Sequence, residues 1–175
     1  AVQLGADLIN DVRALSRLGA LDAAVESGLP VCLMHMQGEP SSMQENPDYQ
    51  NIFDEVAAFL HGRVAACVAA GISKEQILLD PGFGFGKTVA HNFELFRRLP
   101  AFVEMGFPVL VGVSRKSMLG ALTGRGVEER LAASVAMAAM AVERGAHILR
   151  VHDVKETVDA VKLAAAVKFE KSNNG

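Results

Sequence analysis

The chain has 175 residues and a formal net charge of −3; 50% of the residues are hydrophobic and 21% are charged. This composition is typical of an ordinary folded domain and excludes a disordered or fibrous protein. Acidic residues outnumber basic ones, 20 to 17, which disfavours nucleic acid as a partner. Two cysteines without a framework of paired spacings indicate a reducing, cytoplasmic location. We expect no membrane-spanning helix, because no run of about 20 apolar residues occurs.

Short apolar segments alternate with helical patterns along the chain. Gly5, Gly28, Gly71 and Gly145 each follow a helical pattern and precede a predicted strand. Strands are predicted at 8–11, 31–36, 77–80, 109–113 and 148–151. The main predicted helices are one with an apolar stripe of Ile52, Val56, Leu60, Val64 and Cys67, one from about Val127 to Gly145, and a last one carrying Val158, Val161, Leu163 and Val167. Residues 1–170 are predicted to form the domain, and 171–175 a disordered tail.

Strands that are apolar on both faces and separated by helices predict a parallel α/β sheet. The predicted strands begin about 35 residues apart, whereas an eight-unit (β/α)8 barrel typically needs about 250 residues. The chain is therefore either a five-stranded doubly wound domain or five units of a barrel. The first residues resemble the end of a helix, with no strand before them. This opening favours the partial barrel, and we expect the chain to be a piece of a longer protein.

Polar residues or glycines stand at the end of every predicted strand. They are Asn10 and Asp11; Met34 and His35; Asp80; Gly112 with Ser114, Arg115, Lys116 and Ser117; and Arg150 with His152 and Asp153. In parallel α/β folds, ligands bind beyond the carboxyl ends of the strands. The pattern therefore predicts one site that contains a carboxylate, an amide, two cations and an imidazole.

The glycine-rich segment 81–88 resembles a phosphate-binding loop, but its spacing does not fit one. Pro81 stands where such a loop needs its first glycine. We expect instead a loop that lets the backbone approach a flat ligand, with Phe83 or Phe85 against that ligand. The polar connection 37–51 follows a strand and is either a lid over the site or a variable surface loop.

Several of these side chains have a structural alternative. Asp80 can cap the following turn, and of Asn10 and Asp11 we expect Asp11 to be the structural one. Arg115 and Lys116 are adjacent and must point apart, so at most one of them enters the site.

Arg150 also has an alternative, in which it forms a surface ion pair with Asp153 or Glu156. No cluster of cysteines and histidines has the spacing of a structural zinc site.

Five segments together resemble the dihydropteroate synthases, a family of folate-pathway enzymes. They read LINDVR at 8–13, PVCLMHMQG at 30–38, LLDPGFGFGK at 78–87, LVGVSRKS at 110–117 and RVHDV at 150–154. The resemblance implies a (β/α)8 barrel of which these are the last five units. It also implies condensation of dihydropterin-methyl pyrophosphate with p-aminobenzoate, a Mg²⁺ cofactor, sulfonamides as inhibitors, and a homodimer formed through late helices that include 127–144.

The resemblance also assigns roles to residues. The pterin would be held by Asn10, Met34, Asp80, Phe85, Gly112, Lys116 and Arg150. Ser117 would lie near p-aminobenzoate, and Arg150 and His152 would bind the pyrophosphate. The residues implied to act in catalysis are Lys116, Arg150 and His152. No metal ligand is implied in this chain, because the family's ligand lies in the first three units, which the chain lacks; we therefore expect the chain alone to be inactive.

Two other functions remain open. The pterin-binding barrel of folate-dependent methyltransferases is similar in fold and in its pterin-binding carboxylate. The cationic residues of the segments 114–117 and 150–153 argue against it, because methyl transfer has no pyrophosphate to bind. The chain could also be a pterin-binding or assembly segment without catalytic activity.

Overall fold

The computed structural model describes residues 4–39, 43–45 and 47–168. Five strands lie in this part of the chain: β1 Ile9–Asp11, β2 Val31–Met34, β3 Ile77–Asp80, β4 Leu110–Val111 and β5 Ile148–Leu149. The helices are α1 Ala20–Ser27, α2 Ile52–Ala69, α3 Val89–Arg97, α4 Leu99–Val103, α5 Ser117–Thr123, α6 Leu131–Glu143 and α7 Val154–Lys168. The predicted disordered tail at 171–175 and the first three residues lie outside the described residues.

The strands are parallel and follow one another across the sheet in chain order. β1 pairs with β2, β2 with β3, and β4 with β5. An isolated parallel bridge between Leu79 and Val109 joins β3 to the start of β4. A doubly wound sheet reverses its strand order at a switch point, whereas barrel strands run in sequence. The observed order therefore agrees with the partial barrel and not with the doubly wound alternative.

The apolar core lies between this sheet and the helices that cover it. All residues of β2 and β3 are buried. The stripe of α2 predicted from the sequence is buried against them, as its spacing of three and four residues requires. No helix of the described residues is both long enough and apolar enough to cross a membrane.

Four predicted elements differ clearly in extent from the structure. The strands β2, β4 and β5 are shorter than the apolar runs that predicted them. The helix predicted from Val127 begins only at Leu131, because 127–129 form a separate 3-10 turn. The Glu129 carboxylate accepts a hydrogen bond from the Gly126 N–H at 3.1 Å and stabilises that turn. The predicted helix begins too early because Val127 is apolar and fits the helical pattern of the residues that follow.

Apolar surface remains exposed at the late helices and at one sheet edge. On α6, Ser134, Met137, Ala138 and Ala141 are buried. Ala132, Ala136 and Met140 lie four residues apart and are exposed. The helix therefore keeps one open face. Within the described residues, neither β1 nor β5 has a strand on its outer side.

Candidate active site

Parallel strands end at the same edge of the sheet, and the predicted polar groups follow those ends. Asp80 closes β3, and its Cα is in register with that of Met34 at the end of β2. The positive charges of Lys116 and Arg150 both act on the Asp80 carboxyl, which places the three groups near one another. The structure therefore brings together the central carboxylate and the two cations that the sequence predicted.

Asp80 is buried, with 2% of its surface exposed. Its Oδ1 accepts a hydrogen bond from the Gly82 N–H at 2.8 Å, so it does cap the following turn. No other hydrogen bond to this carboxylate is formed within 4–39, 43–45 and 47–168, which leaves acceptor capacity for a ligand. Burial raises the pKa of Asp80, and the Gly82 N–H and the neighbouring cations act against this rise.

The glycine loop 82–86 passes directly against the residues that follow β2. Gly82 has φ +73°, and a Cβ atom there would lie 1.8 Å from the His35 carbonyl oxygen. Only glycine fits this close approach. Phe83 is buried in the core. Phe85 is half-buried, which makes Phe85, of the two, the ring that can lie against a ligand.

The Lys116 side chain packs against this loop, where a Cβ atom on Gly84 would lie 2.9 Å from its Cδ. Its Nζ donates a hydrogen bond to the Phe83 carbonyl oxygen and is 4.3 Å from the centre of the Phe85 ring. Burial lowers the pKa of Lys116 to about 8, with Asp80 acting to raise it. The ammonium therefore remains largely protonated at neutral pH, where it faces the Asp80 carboxylate.

A cavity of about 240 Å³ opens beside these groups, between the ends of β4 and β5. Its lining consists of Gly112, Ser114, Lys116, Arg150, Val151 and His152. A Cβ atom on Gly112 would lie 3.1 Å from an Arg150 guanidinium nitrogen, so a larger residue would crowd that side chain. The Ser114 hydroxyl lies 3.0 Å from His152 Nδ1 and also accepts the His152 backbone N–H. If the hydroxyl donates to Nδ1, the proton of the ring is carried by Nε2.

Arg115 and Lys116 point apart, as predicted. The Arg115 guanidinium binds both carboxylate oxygens of Asp153, at 3.1 and 2.6 Å, and Glu128 at 3.0 Å. The ion pair that the sequence suggested between Arg150 and Asp153 or Glu156 is not formed in the described part of the chain. Arg115 has the two-pronged donor geometry that suits Asp153, and this pairing leaves Arg150 available at the cavity.

The other predicted residues differ in how exposed they are. Asp11 accepts the Leu15 N–H at 2.6 Å and is therefore structural, as expected, whereas Asn10, the middle residue of β1, is exposed. Met34 is buried. Ser117 is exposed at the start of α5.

The long connection between β2 and α2 lies against the glycine loop where it is described. The Tyr49 hydroxyl donates to the Gly86 carbonyl oxygen at 2.8 Å, and the Gln44 amide donates to the Gly84 carbonyl oxygen. Residues 40–42 and 46 of this connection lie outside the described residues. The lid and the variable surface loop both stay predictions for this connection.

Sequence reasoning missed one buried polar pair. Lys87 and His35 have exposed fractions of only 3% and 6%, and Lys87 Nζ lies 3.0 Å from His35 Nδ1. The two residues are 52 positions apart in sequence, so no local pattern indicates that they pair.

Comparisons with a family model and with individual proteins point to the same family. A model of the family described as "Pterin binding enzyme" matches residues 1–152. The dihydropteroate synthase of Escherichia coli K12 is 54% identical over 173 residues, which cover 99% of this chain and 61% of that protein. The Haemophilus influenzae dihydropteroate synthase is 52% identical over 163 residues, 93% of this chain and 59% of that protein.

Solved structures of dihydropteroate synthases are similar to this chain in fold. The Yersinia pestis dihydropteroate synthase in a sulfonamide drug complex has a TM-score of 0.93 and 50% identity, covering 95% of this chain and 61% of that one. The Stenotrophomonas maltophilia enzyme, with imidazole bound in its active site, has a TM-score of 0.94 and 53% identity, covering 98% and 65%. The chain thus spans about three fifths of the length of these relatives.

Proposed function

The chain belongs to the pterin-binding enzyme family, and from this membership we propose that it supplies the pterin and pyrophosphate part of a dihydropteroate synthase active site. The full-length protein would condense dihydropterin-methyl pyrophosphate with p-aminobenzoate. The observation that carries this proposal is the neighbourhood of a buried carboxylate, Asp80, and a cationic cavity lined by Lys116, Arg150 and His152. A pterin that bears a pyrophosphate presents N–H donors, which match the Asp80 carboxylate, and an anion, which matches the cationic cavity.

Asp80 would hold the edge of the pterin ring by accepting its amino and ring N–H groups in charge-assisted hydrogen bonds. Asn10 would assist at the same edge, and Lys116 would donate to the ring carbonyl oxygen. Met34, Phe85 and Gly112 would form the walls around the flat ring. Ser117, at the start of α5, would lie near p-aminobenzoate.

The reaction follows from this arrangement of charges. The C–O bond to pyrophosphate breaks, its electron pair leaves with the pyrophosphate, and the electron-rich pterin supports positive charge on its methylene. Arg150 and the Nε2–H of the His152 ring stabilise the negative charge that grows on the leaving group. The p-aminobenzoate amine attacks the methylene, forms the C–N bond and releases a proton to solvent. This route needs no covalent bond to the protein.

The resemblance also implies a Mg²⁺ ion. Within residues 4–39, 43–45 and 47–168, no group of three or more His, Cys, Asp or Glu side chains could hold a metal ion. These residues therefore do not fit a protein-bound metal by themselves, and we keep Mg²⁺ as a proposal for the full-length protein. A cytoplasmic location and binding of sulfonamides belong to the same proposal. The buried free thiols of Cys32 and Cys67 support the former, and the Yersinia pestis drug complex supports the latter.

The proposal is tested by incubating the full-length protein with dihydropterin-methyl pyrophosphate and labelled p-aminobenzoate. A synthase yields labelled dihydropteroate and one pyrophosphate per product. A folate-dependent methyltransferase yields neither, and a non-catalytic segment binds pterin without turnover. The cavity lined by two cations and an imidazole favours the synthase over the methyltransferase, because methyl transfer has no anionic leaving group for it.

Arg150→Ala is expected to weaken pyrophosphate binding by about 1.5–3 kcal/mol, the usual cost of removing a charged hydrogen-bond partner, while sparing the bare pterin alcohol. The measurement is competition by pyrophosphate and by pterin alcohol, each tested separately. Arg97→Ala, an exposed arginine on α3, is the matched control. Equal losses for both competitors would show that Arg150 acts mainly on the ring by stacking.

We also propose that the full-length protein is a homodimer that covers the open face of α6. A helix apolar on nearly all sides is normally buried, whereas Met140 remains 46% exposed here. Sedimentation at micromolar concentration is expected to show a dimer, and Met140→Lys is expected to shift it toward monomer. Val25→Lys on α1 should leave the dimer intact. A wild-type monomer would contradict the proposal.

A further inference from the structure

Lys87 is a buried lysine that the proposed reaction does not use. Its Nζ lies 3.0 Å from His35 Nδ1, 3.0 Å from the Phe85 carbonyl oxygen and 3.4 Å from the His35 carbonyl oxygen. An ammonium group has three N–H donors and no acceptor, so these three acceptors match it fully. The lysine therefore joins the end of β2 to the glycine loop through its charged form.

The three acceptors are uncharged, and the anion that acts on Lys87 is Asp80. A Cβ atom on Gly82 would lie 3.4 Å from Lys87 Nζ, and the Gly82 N–H binds Asp80 Oδ1 at 2.8 Å. The ammonium is thus fixed close to the turn that carries the carboxylate. Burial, together with the charge of Lys87, lowers the pKa of His35 to about 3, so the ring is neutral and its Nδ1 can accept.

We propose that Lys87, held by His35, is a positioning residue that keeps the Asp80 carboxylate charged for pterin recognition. The inference rests on the proposed function, because it assigns a purpose to Asp80. Lys87 acts through Asp80 and is absent from the lining of the cavity between β4 and β5, so it need not touch the ligand.

Other groups also face Asp80. Lys116 precedes α5, Arg150 follows β5, and the Cys32 thiol lies on β2. Lys116 and Arg150 line the cavity and would share their charge with the pyrophosphate-bearing substrate. Lys87 is more deeply buried, and three acceptors hold its ammonium group in place. Burial lowers the pKa of Lys87 to about 7, against the effect of Asp80, so it is charged in mildly acidic solution.

The test compares Lys87→Met, which removes both the charge and the donors, with Lys87→Gln, which removes the charge but retains N–H donors. Pterin affinity of the full-length protein is measured by calorimetric titration across pH. Without the ammonium, the Asp80 carboxylate protonates at higher pH. The acidic midpoint of pterin binding is therefore expected to rise by about one pH unit in both variants, which weakens binding up to about tenfold on the acidic side.

On the alkaline side, above the pKa of Lys87, both variants should bind pterin like the wild type, and the KM for p-aminobenzoate should not change. Lys74→Met, an exposed lysine outside the site, is the matched control. A loss of equal size at every pH, or recovery of the wild-type profile in Lys87→Gln, would overturn the inference by showing a purely structural role. If Lys87→Met does not fold, Lys87→Gln alone decides between these results. If the wild type does not bind pterin at all, the proposed function itself fails.

Discussion

Asp80→Asn is expected to weaken pterin binding by the full-length protein more than tenfold. The amide can present an N–H donor to the pterin N–H groups, and it loses the charge that strengthens these hydrogen bonds. Removing a charged hydrogen-bond partner typically costs about 1.5–3 kcal/mol, and each 1.4 kcal/mol is about a factor of ten in affinity. Calorimetric titration with the pterin measures the loss directly.

The same variant should fold normally, which separates binding from stability. Burial raises the pKa of Asp80, which means that the folded state disfavours the charged carboxylate. A neutral amide does not carry this free-energy cost of burying a charge. The thermal unfolding midpoint should therefore stay the same or rise. Asp159→Asn, an exposed position on α7, is the matched control. Wild-type pterin affinity in Asp80→Asn would refute the proposed role of the carboxylate.

Residues 1–175 expressed alone are expected to lack synthase activity and to aggregate. The outer sides of β1 and β5 carry no strand within the described residues, so N–H and C=O groups are free to pair with other chains. Exposed apolar side chains lie nearby on α7, including Leu163 at 71% and Val167 at 83%. About two fifths of the length of the relatives has no counterpart in this chain. A site built from only part of the barrel would be less well preorganised, and its activation barrier for the condensation would be higher by several kcal/mol.

Size-exclusion chromatography combined with the labelled p-aminobenzoate assay checks this expectation. The full-length protein, expressed and purified in the same way, is the control and should be monodisperse and active. A monodisperse and active 1–175 chain would show that the five units form a sufficient site, and the account of a barrel with open edges would be wrong.

Much of the fold and the centre of the site could be predicted because both depend on local patterns. Buried strands are visible as apolar runs, and parallel strands bring their carboxyl ends to one edge. This rule placed Asp80, Lys116 and Arg150 together without any knowledge of side-chain contacts. The order of the strands, which distinguishes a barrel from a doubly wound sheet, required the observed pairing.

Other features depend on contacts between distant segments. Lys87 and His35 are 52 residues apart in sequence, and only the packing of the glycine loop on the end of β2 brings them together. The choice between Phe83 and Phe85 depends on which ring the loop turns into the core. The pairing of Arg115 with Asp153 likewise depends on how the ends of β4 and β5 approach each other, and the sequence alone also allowed Arg150 as the partner.

The most direct test of the central claim is a crystal structure of the full-length protein with a pterin and pyrophosphate bound. We expect the pterin amino and ring N–H groups within hydrogen-bonding distance of the Asp80 carboxylate, with the ring against Phe85. We expect the pyrophosphate in the cavity between β4 and β5, in contact with Arg150 and His152. A pterin bound away from Asp80, or a pyrophosphate bound outside that cavity, would contradict the central claim.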